Sequence, residues 1–489
     1  MPPGTDDLPG KKPPERRPRR GGGRRPGKQP GAPGAYLAWR EHPDKTQDVF
    51  PEGSCACGAD LAAAADLGVR YSHQVTDLPG ARAQTTQYDR HEVQCACGRV
   101  HVADAPPRAG APGTVTCGLN VQAWCVFLMV MHHVPVERCA DILEPMSGTH
   151  PSDGWVHTLL GHAARAVAAA NKTIRALIIL AGVICGDETP LRAGPGPKIR
   201  KKYLQVACTN LLTCYFLGDR DLASFNAFVY SDLHGTVVVH DRYQNYDAFD
   251  GISHQLCCQH LPRDLEDAAQ SYPGAIWPGQ LAEALRGLIH QANVARRQGL
   301  HAVPAKMTAE HLKLFRRGVA VGLSQVRRVP GAKSRQPPAR LLLQCLRHRE
   351  ADVLRFLTDT AIPPTSNQAE RDLRPSKTQQ KISSRLRSEK TTRDRYAIRG
   401  YASTAAKHGT AIFTAIRDAL AGNPWMPPSR PAPEPRPEPV THGHSGITKH
   451  AARRECLRPA LPAVSGCLPL PRPALRVRSL SFAGPASQM

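Results

Sequence analysis

Acidic residues are in short supply. The 489-residue chain carries 41 Asp and Glu against 64 Lys and Arg, a formal net charge of +23. That balance favours a polyanionic partner, most simply nucleic acid. Arg-rich ends account for part of the excess, but not for the Lys and Arg within residues 363–400. Long apolar runs are missing too. The longest, ALIILAGVIC, is too short to span a bilayer, so no membrane partner is expected. The opening MPPGTDDLPGKKPPERRPRR holds no apolar segment, so no secretory leader is expected. The expected compartment is cytosolic, with reduced thiols. The 15 cysteines then raise the question of metal ligation rather than disulfides.

A chain of this length accommodates two or three domains. Residues 1–48 are rich in Pro, Gly and Arg and read as a disordered basic arm, whose RRPRRGGGRR cluster suits non-specific phosphate contact. Residues 49–108 contain CACG twice, at Cys55 and Cys57 and at Cys95 and Cys97. Two close Cys pairs suggest a small zinc-ribbon-like module, with His91 and His101 as substitute ligands. The spacing is C-x-C where C-x-x-C is usual. Gly after each pair suits a tight turn that aims N–H groups at the thiolates.

Residues 115–172 read as helical. NVQAWCVFLMVMHH is apolar on nearly all sides and should be buried. Pro135 opens a second helix, MSGTHPS is a turn, and Ser152 is placed to cap a third helix over 153–170. Helix, short turn and helix match a helix-turn-helix for DNA, and equally match plain helical packing. Residues 173–425 form the largest unit. Its first part predicts three strands, a helix, a strand, a short helix and a strand, hence a mixed α/β sheet covered by helices. Residues 262 to about 345 predict helices. Residues 426–489 read as a disordered tail.

Two predicted strands end on carboxylates, Asp187 in ICGDETPLR and Asp241 in VVVHDRY. Adjacent and parallel, they would present both at one sheet end. A helix beginning near Asn367 would bring Glu370. Three converging carboxylates repel unless cations lie between them, and hard oxygen ligands favour Mg²⁺ or Mn²⁺. Two such ions about 4 Å apart clamp the attacking and leaving oxygens of a phosphodiester. On the same helix face, Arg374 and Lys377 follow Glu370, and Lys381, Arg385 and Arg387 extend a basic track toward DNA phosphates. Arg371, one step around, is placed to pair with a carboxylate. A solvated helix with salt links is the bland reading of that stretch alone. Among competing acids, Glu188 should face the other side of its strand. Asp219 and Asp221 sit in a turn, and Asp247 is placed to cap a helix. In CCQH, Cys257 and His260 have a metal-like spacing; packing at the strand end is the main reading, contact with DNA or the reaction centre the other.

At these residues the chain resembles transposases of the insertion sequence 66 family. The motifs are CGDET at 185–189, VVVHDRYQNYDAF at 237–249, HQLCCQHLPRDLEDA at 254–268 and SNQAERDLRPSKTQQKIS at 366–383. The resemblance implies an RNase H-like core whose DDE triad falls on Asp187, Asp241 and Glu370, with a helical insertion before the Glu. It implies metal-dependent cleavage and strand transfer at terminal inverted repeats. Water is then the nicking nucleophile and a DNA 3′-hydroxyl the joining one. The implied partners are repeat and target DNA, a second copy of the chain or more, and accessory proteins of the same element, in a bacterial cytoplasm near the nucleoid. Two other readings stand beside it: a non-catalytic DNA-binding regulator or inactive remnant of the element, and an RNase H-like nuclease or resolvase without transfer.

Overall fold

Alternating apolar residues build a sheet buried on both faces. The computed structural model describes residues 39–428 apart from 77–81, 106–110, 112, 195–200, 332–335, 384–385 and 387. Most of the basic arm, the tail from 429, Arg385 and Arg387 lie outside the described residues.

The paired cysteines come first. A hairpin of β1 (Glu92–Gln94) and β2 (Val100–Val102) flanks the second pair, and a Ser54–Asp60 bridge flanks the first. Gly58 and Gly98 adopt φ of 90° and 85°, the left-handed turn conformation that glycine tolerates. Their N–H groups donate to the Cys55 and Cys95 carbonyls, both at 2.8 Å, closing turns in which the backbone N–H groups of Cys57 and Cys97 face the Cys55 and Cys95 sulfurs and lower both thiols from the ordinary value, as expected.

Helices follow: α1 (Leu119–Met131), α2 (Val136–Ser147), α3 (Asp153–Ala166) and α4 (Ala168–Ile179). The expected single helix over 153–170 breaks at Val167. The break redirects the chain from one core to another. Ala163, Val167 and Ala170 join α1 and α2, whereas Ile174 and Ile178 lie under the sheet. Ser152 precedes α3 but makes no capping bond; Asp153 in the first turn suits the positive end of the helix instead.

The sheet order is β5-β4-β3-β6-β7, from β3 (Val183–Arg192), β4 (Lys201–Cys208), β5 (Thr213–Gly218), β6 (Thr236–His240) and β7 (Ile252–Leu256). β3, β4 and β5 form an antiparallel meander, and a connection through α5 (Leu222–Ala227) returns the chain beside β3. There β6 pairs with β3 in parallel, and β7 with β6 likewise. Side chains alternate between two cores. Ile184, Ala207 and Val238 face α4 and the aromatic residues Phe225, Tyr230 and Tyr246. Cys185, Val206, Val239 and Leu256 face the later helices.

Those helices are α6 (Leu261–Ser271), α7 (Trp277–Arg297), α8 (Ala305–Gln325), α9 (Pro338–His348), α10 (Glu350–Val353) and α11 (Asn367–Ile382). α11 packs on β3 and β4, with Ala369 and Leu373 buried. α12 (Glu389–Lys407) lies on β5, and with α13 (Ile412–Leu420) it shares one apolar core with α1, α2 and α3. Arg395 and Arg399 of α12 donate to the carbonyls of Met129 and Val130 at the end of α1.

Candidate active site

The parallel register sets the site. Val183, Ile184 and Cys185 pair with Val237, Val238 and Val239. Two residues further on, Asp187 comes level with Asp241, which follows the last residue of β6. Asp187 is not a strand end as expected; β3 runs on to Arg192 because β4 still pairs with it there. The parallel neighbour stops, so the sheet opens beside Asp187. By the period-two alternation, both aspartates share the face of Cys185 and Val239, where α11 packs.

Two local bonds hold these carboxylates. The Tyr243 N–H donates to Asp241 Oδ1 at 2.9 Å, and the Glu188 N–H to Asp187 Oδ1 at 2.8 Å. Glu370 lies in the first turn of α11, its side chain 30% exposed. Burial pushes Asp187 up to about 7, and the charge of Asp241, then that of Glu370, adds to it. A carboxyl this reluctant to ionise marks a site short of positive charge.

Glu188 faces the other side, as its strand position requires. It accepts from Arg220 at 2.8 Å and from the Tyr246 hydroxyl at 3.3 Å. Burial and the two nearby aspartates raise it to about 7, against the pull of Arg220. The Arg220 guanidinium lies 3.9 Å from the Tyr243 ring centroid. Asp219 pairs with Lys202, and Asp221 caps α5 by accepting from the Ser224 N–H. Asp247 sits within a short 3₁₀ turn, Gln244–Ala248, and pairs with Arg349 rather than capping a helix.

The CCQH stretch does more than pack. His260 Nε2 lies 4.0 Å from Glu370 Oε1. A hydrogen bond with Cys257 raises His260 to about 9, outweighing burial, and Cys257, Asp241 and Glu370 charges add to it. Burial opposes ionisation of Cys257, yet hydrogen bonds from His260 and Ser366 pull it below the ordinary thiol range. The C-x-x-H spacing was the signal in the sequence; which residue it would meet was not readable from it.

On α11, Arg374, Lys377 and Lys381 are exposed, and Arg374 lies one helical turn beyond Glu370. Arg371 bonds Gln368 at 2.8 Å instead of a carboxylate. Among the described residues, no three His, Cys, Asp or Glu side chains close on one point that could hold a metal ion. For Cys55, Cys57, Cys95 and Cys97 the reason is plain. All four are exposed, and the described residues around them bury no apolar side chain that could draw the two turns together. Among the described residues, no helix is long and apolar enough to cross a membrane.

Comparison with known families returns a match to the model described as Transposase IS66 family, over residues 115–394. The match contains Asp187, Asp241, Glu370 and the CCQH turn, and leaves out the paired cysteines. No curated protein matches the chain.

Proposed function

The chain belongs to the IS66 family of transposases, and from that premise we propose that it cuts and joins DNA at the terminal inverted repeats of its own element. The observation that carries this reading is the register that levels Asp187 with Asp241 beneath the helix bearing Glu370. The core would be RNase H-like, with these three residues as its DDE triad.

The donor set suits a divalent cation by its chemistry, although its three side chains do not close on one point without the ion. Asp187, Asp241 and Glu370 offer only hard oxygen ligands, and burial first, then repulsion from Asp241 and Glu370, holds Asp187 up near 7 until positive charge offsets it. Mg²⁺ or Mn²⁺, when bound, would polarise the scissile phosphodiester and favour the deprotonated nucleophile. Asp187 must give up its proton to serve. Arg374, Lys377 and Lys381 would hold DNA phosphates along α11, with Arg385 continuing the track. In nicking, water oxygen bonds to phosphorus as the bond to the 3′-oxygen breaks, leaving a 3′-hydroxyl. In joining, that hydroxyl attacks a target phosphate and displaces another 3′-oxygen. No covalent protein–DNA link forms.

The α2–α3 pair and the cysteine turns are the proposed readers of the repeat; a structural zinc on Cys55, Cys57, Cys95 and Cys97 would have to gather thiols that do not close on one point without it. Pairing two element ends calls for a homodimer or larger assembly, and accessory proteins of the element are further candidate partners. Cleavage and strand transfer on DNA carrying the element's ends, in Mg²⁺, test the reading against Asp187→Ala, Asp241→Ala and Glu370→Ala. Loss of roughly a thousandfold in each variant, with DNA binding kept, is the expected result. Wild-type end binding without cleavage would instead favour a regulator or an inactive remnant. Cleavage indifferent to the repeat would favour a plain nuclease.

A further inference from the structure

The turn between β7 and α6 touches both arms of the triad. Its Cys257 N–H donates to the His240 carbonyl at 2.7 Å, next to Asp241. Its Cys258 N–H donates to the Pro364 carbonyl at 2.9 Å, and its Cys257 Sγ accepts from the Ser366 N–H at 3.2 Å. Pro364 and Ser366 lead directly into α11. At the far end of the turn, His260 reaches Glu370. Cys257, Cys258 and Ser366 are all buried. Four contacts thus link a four-residue turn to the strand end that carries Asp241 and the helix that carries Glu370.

We propose that the Cys257–His260 turn is a strut that sets Glu370 against Asp241, with Cys257 and His260 as positioning residues for the metal-binding carboxylates. The argument is geometric. Asp187 and Asp241 are levelled by strand register, but Glu370 comes from a distant stretch of chain with no such ladder to place it. The entry of α11 needs an independent reference to the sheet, and the turn supplies one. A backbone N–H at a helix entry has no partner within the helix. Here the Ser366 N–H finds its acceptor in the Cys257 sulfur. Removing that sulfur leaves the donor buried and frees the α11 entry to shift. The His260 side chain, 39% exposed, turns its Nε2 to the Glu370 carboxylate.

Cys258 provides a matched control. Its thiol turns to the carbonyls of Leu256 and Val353, away from α11. Cys258→Ala removes the same volume and should cost stability alone.

This inference rests on the proposed carboxylate metal site, so the test reads metal binding and not turnover. Mn²⁺ affinity would be measured by calorimetry and electron paramagnetic resonance on full-length protein without DNA. Wild type would be compared with Cys257→Ala, Cys257→Ser, His260→Ala, His260→Gln and Cys258→Ala, with circular dichroism confirming the fold. His260→Ala should weaken Mn²⁺ about tenfold, as loss of an orienting partner does. Cys257→Ala should weaken it several-fold, with partial recovery in His260→Gln and Cys257→Ser and no change in Cys258→Ala. Wild-type affinity in every folded variant overturns the strut while leaving the metal site standing. Absence of Mn²⁺ binding in wild type, or its persistence in Asp187→Ala, overturns the metal reading and the strut with it. Because His260 is partly exposed, His260→Gln keeps the test decisive even if the cysteine variants fail to fold.

Discussion

Cys185 and Val239 face each other across the parallel pair at the centre of the sheet. Two residues on, the same register sets Asp187 beside Asp241, where β6 has ended and β3 has not. The site is therefore a consequence of one strand outlasting its neighbour.

Asp187 makes the metal-free protein sensitive to pH in a definite direction. Its folded value, about 7, lies above the ordinary 3.8, so between these the folded state keeps a proton that the unfolded chain has lost. The stabilising contribution is full below about pH 4 and disappears as pH rises through 7. Asp187→Asn should therefore raise Tm relative to wild type by more at pH 8 than at pH 5, measured in chelator. Bound Mg²⁺ must displace the same proton, so its effect on wild-type Tm should grow over that range. Parallel Tm curves for the two proteins would refute this account.

Gly186 has no room for a side chain. A Cβ there would lie 2.7 Å from the Tyr230 hydroxyl and 3.1 Å from that of Tyr246, both on buried rings. Gly186→Ala should destabilise by about 1–3 kcal/mol in urea unfolding. Because the strain falls next to Asp187, cleavage should drop as well. Adding Tyr230→Phe should restore much of the loss; a double variant no better than the single one would count against the steric explanation.

Lys407 and Asp372 form a partly buried pair at 2.9 Å that fastens α12 to α11. Lys407 also donates to the Thr209 and Leu212 carbonyls, and Thr213 donates to the same Asp372 oxygen. Lys407→Met should cost about 3–5 kcal/mol by stranding the Asp372 charge. Asp372→Asn in the same chain should recover part of that. Chemical denaturation of the four corners of this cycle measures it, and strictly additive losses would show that the pair is not coupled.

Lys377 should contribute charge without sequence preference. Lys377→Ala is expected to weaken repeat and unrelated DNA alike. It should also lower the slope of log K against log salt by about one. An effect confined to the repeat would place Lys377 at a base edge instead.

Much of this was legible in the sequence because strands and helices here follow their apolar periods. The strands at 201–208 and 213–218, the strand before Asp241 and the helix from Asn367 all form where the pattern puts them. Glu188 faces away from Asp187 for the same reason. What stayed hidden depends on contacts across long separations. Asp187 reads as a strand end because GDET looks like a boundary, while the partner that prolongs the strand lies at 201–206. His260 meets Glu370 across 110 residues, a distance no local pattern encodes. The cysteine pairs read as one module, yet spacing alone does not say whether two turns meet.

The shared core of α1–α3 with α12 and α13 has a consequence for synthesis. Helices made early must wait for helices made last, on the order of tens of seconds at about 5–20 residues per second. Until then the apolar faces of α1 and α3 stand open, as a client surface for chaperones. A message cut short before Glu389 would leave them open for good. Such fragments would be cleared or would aggregate, so truncation should yield no stable, competing DNA-binding piece from the early helices.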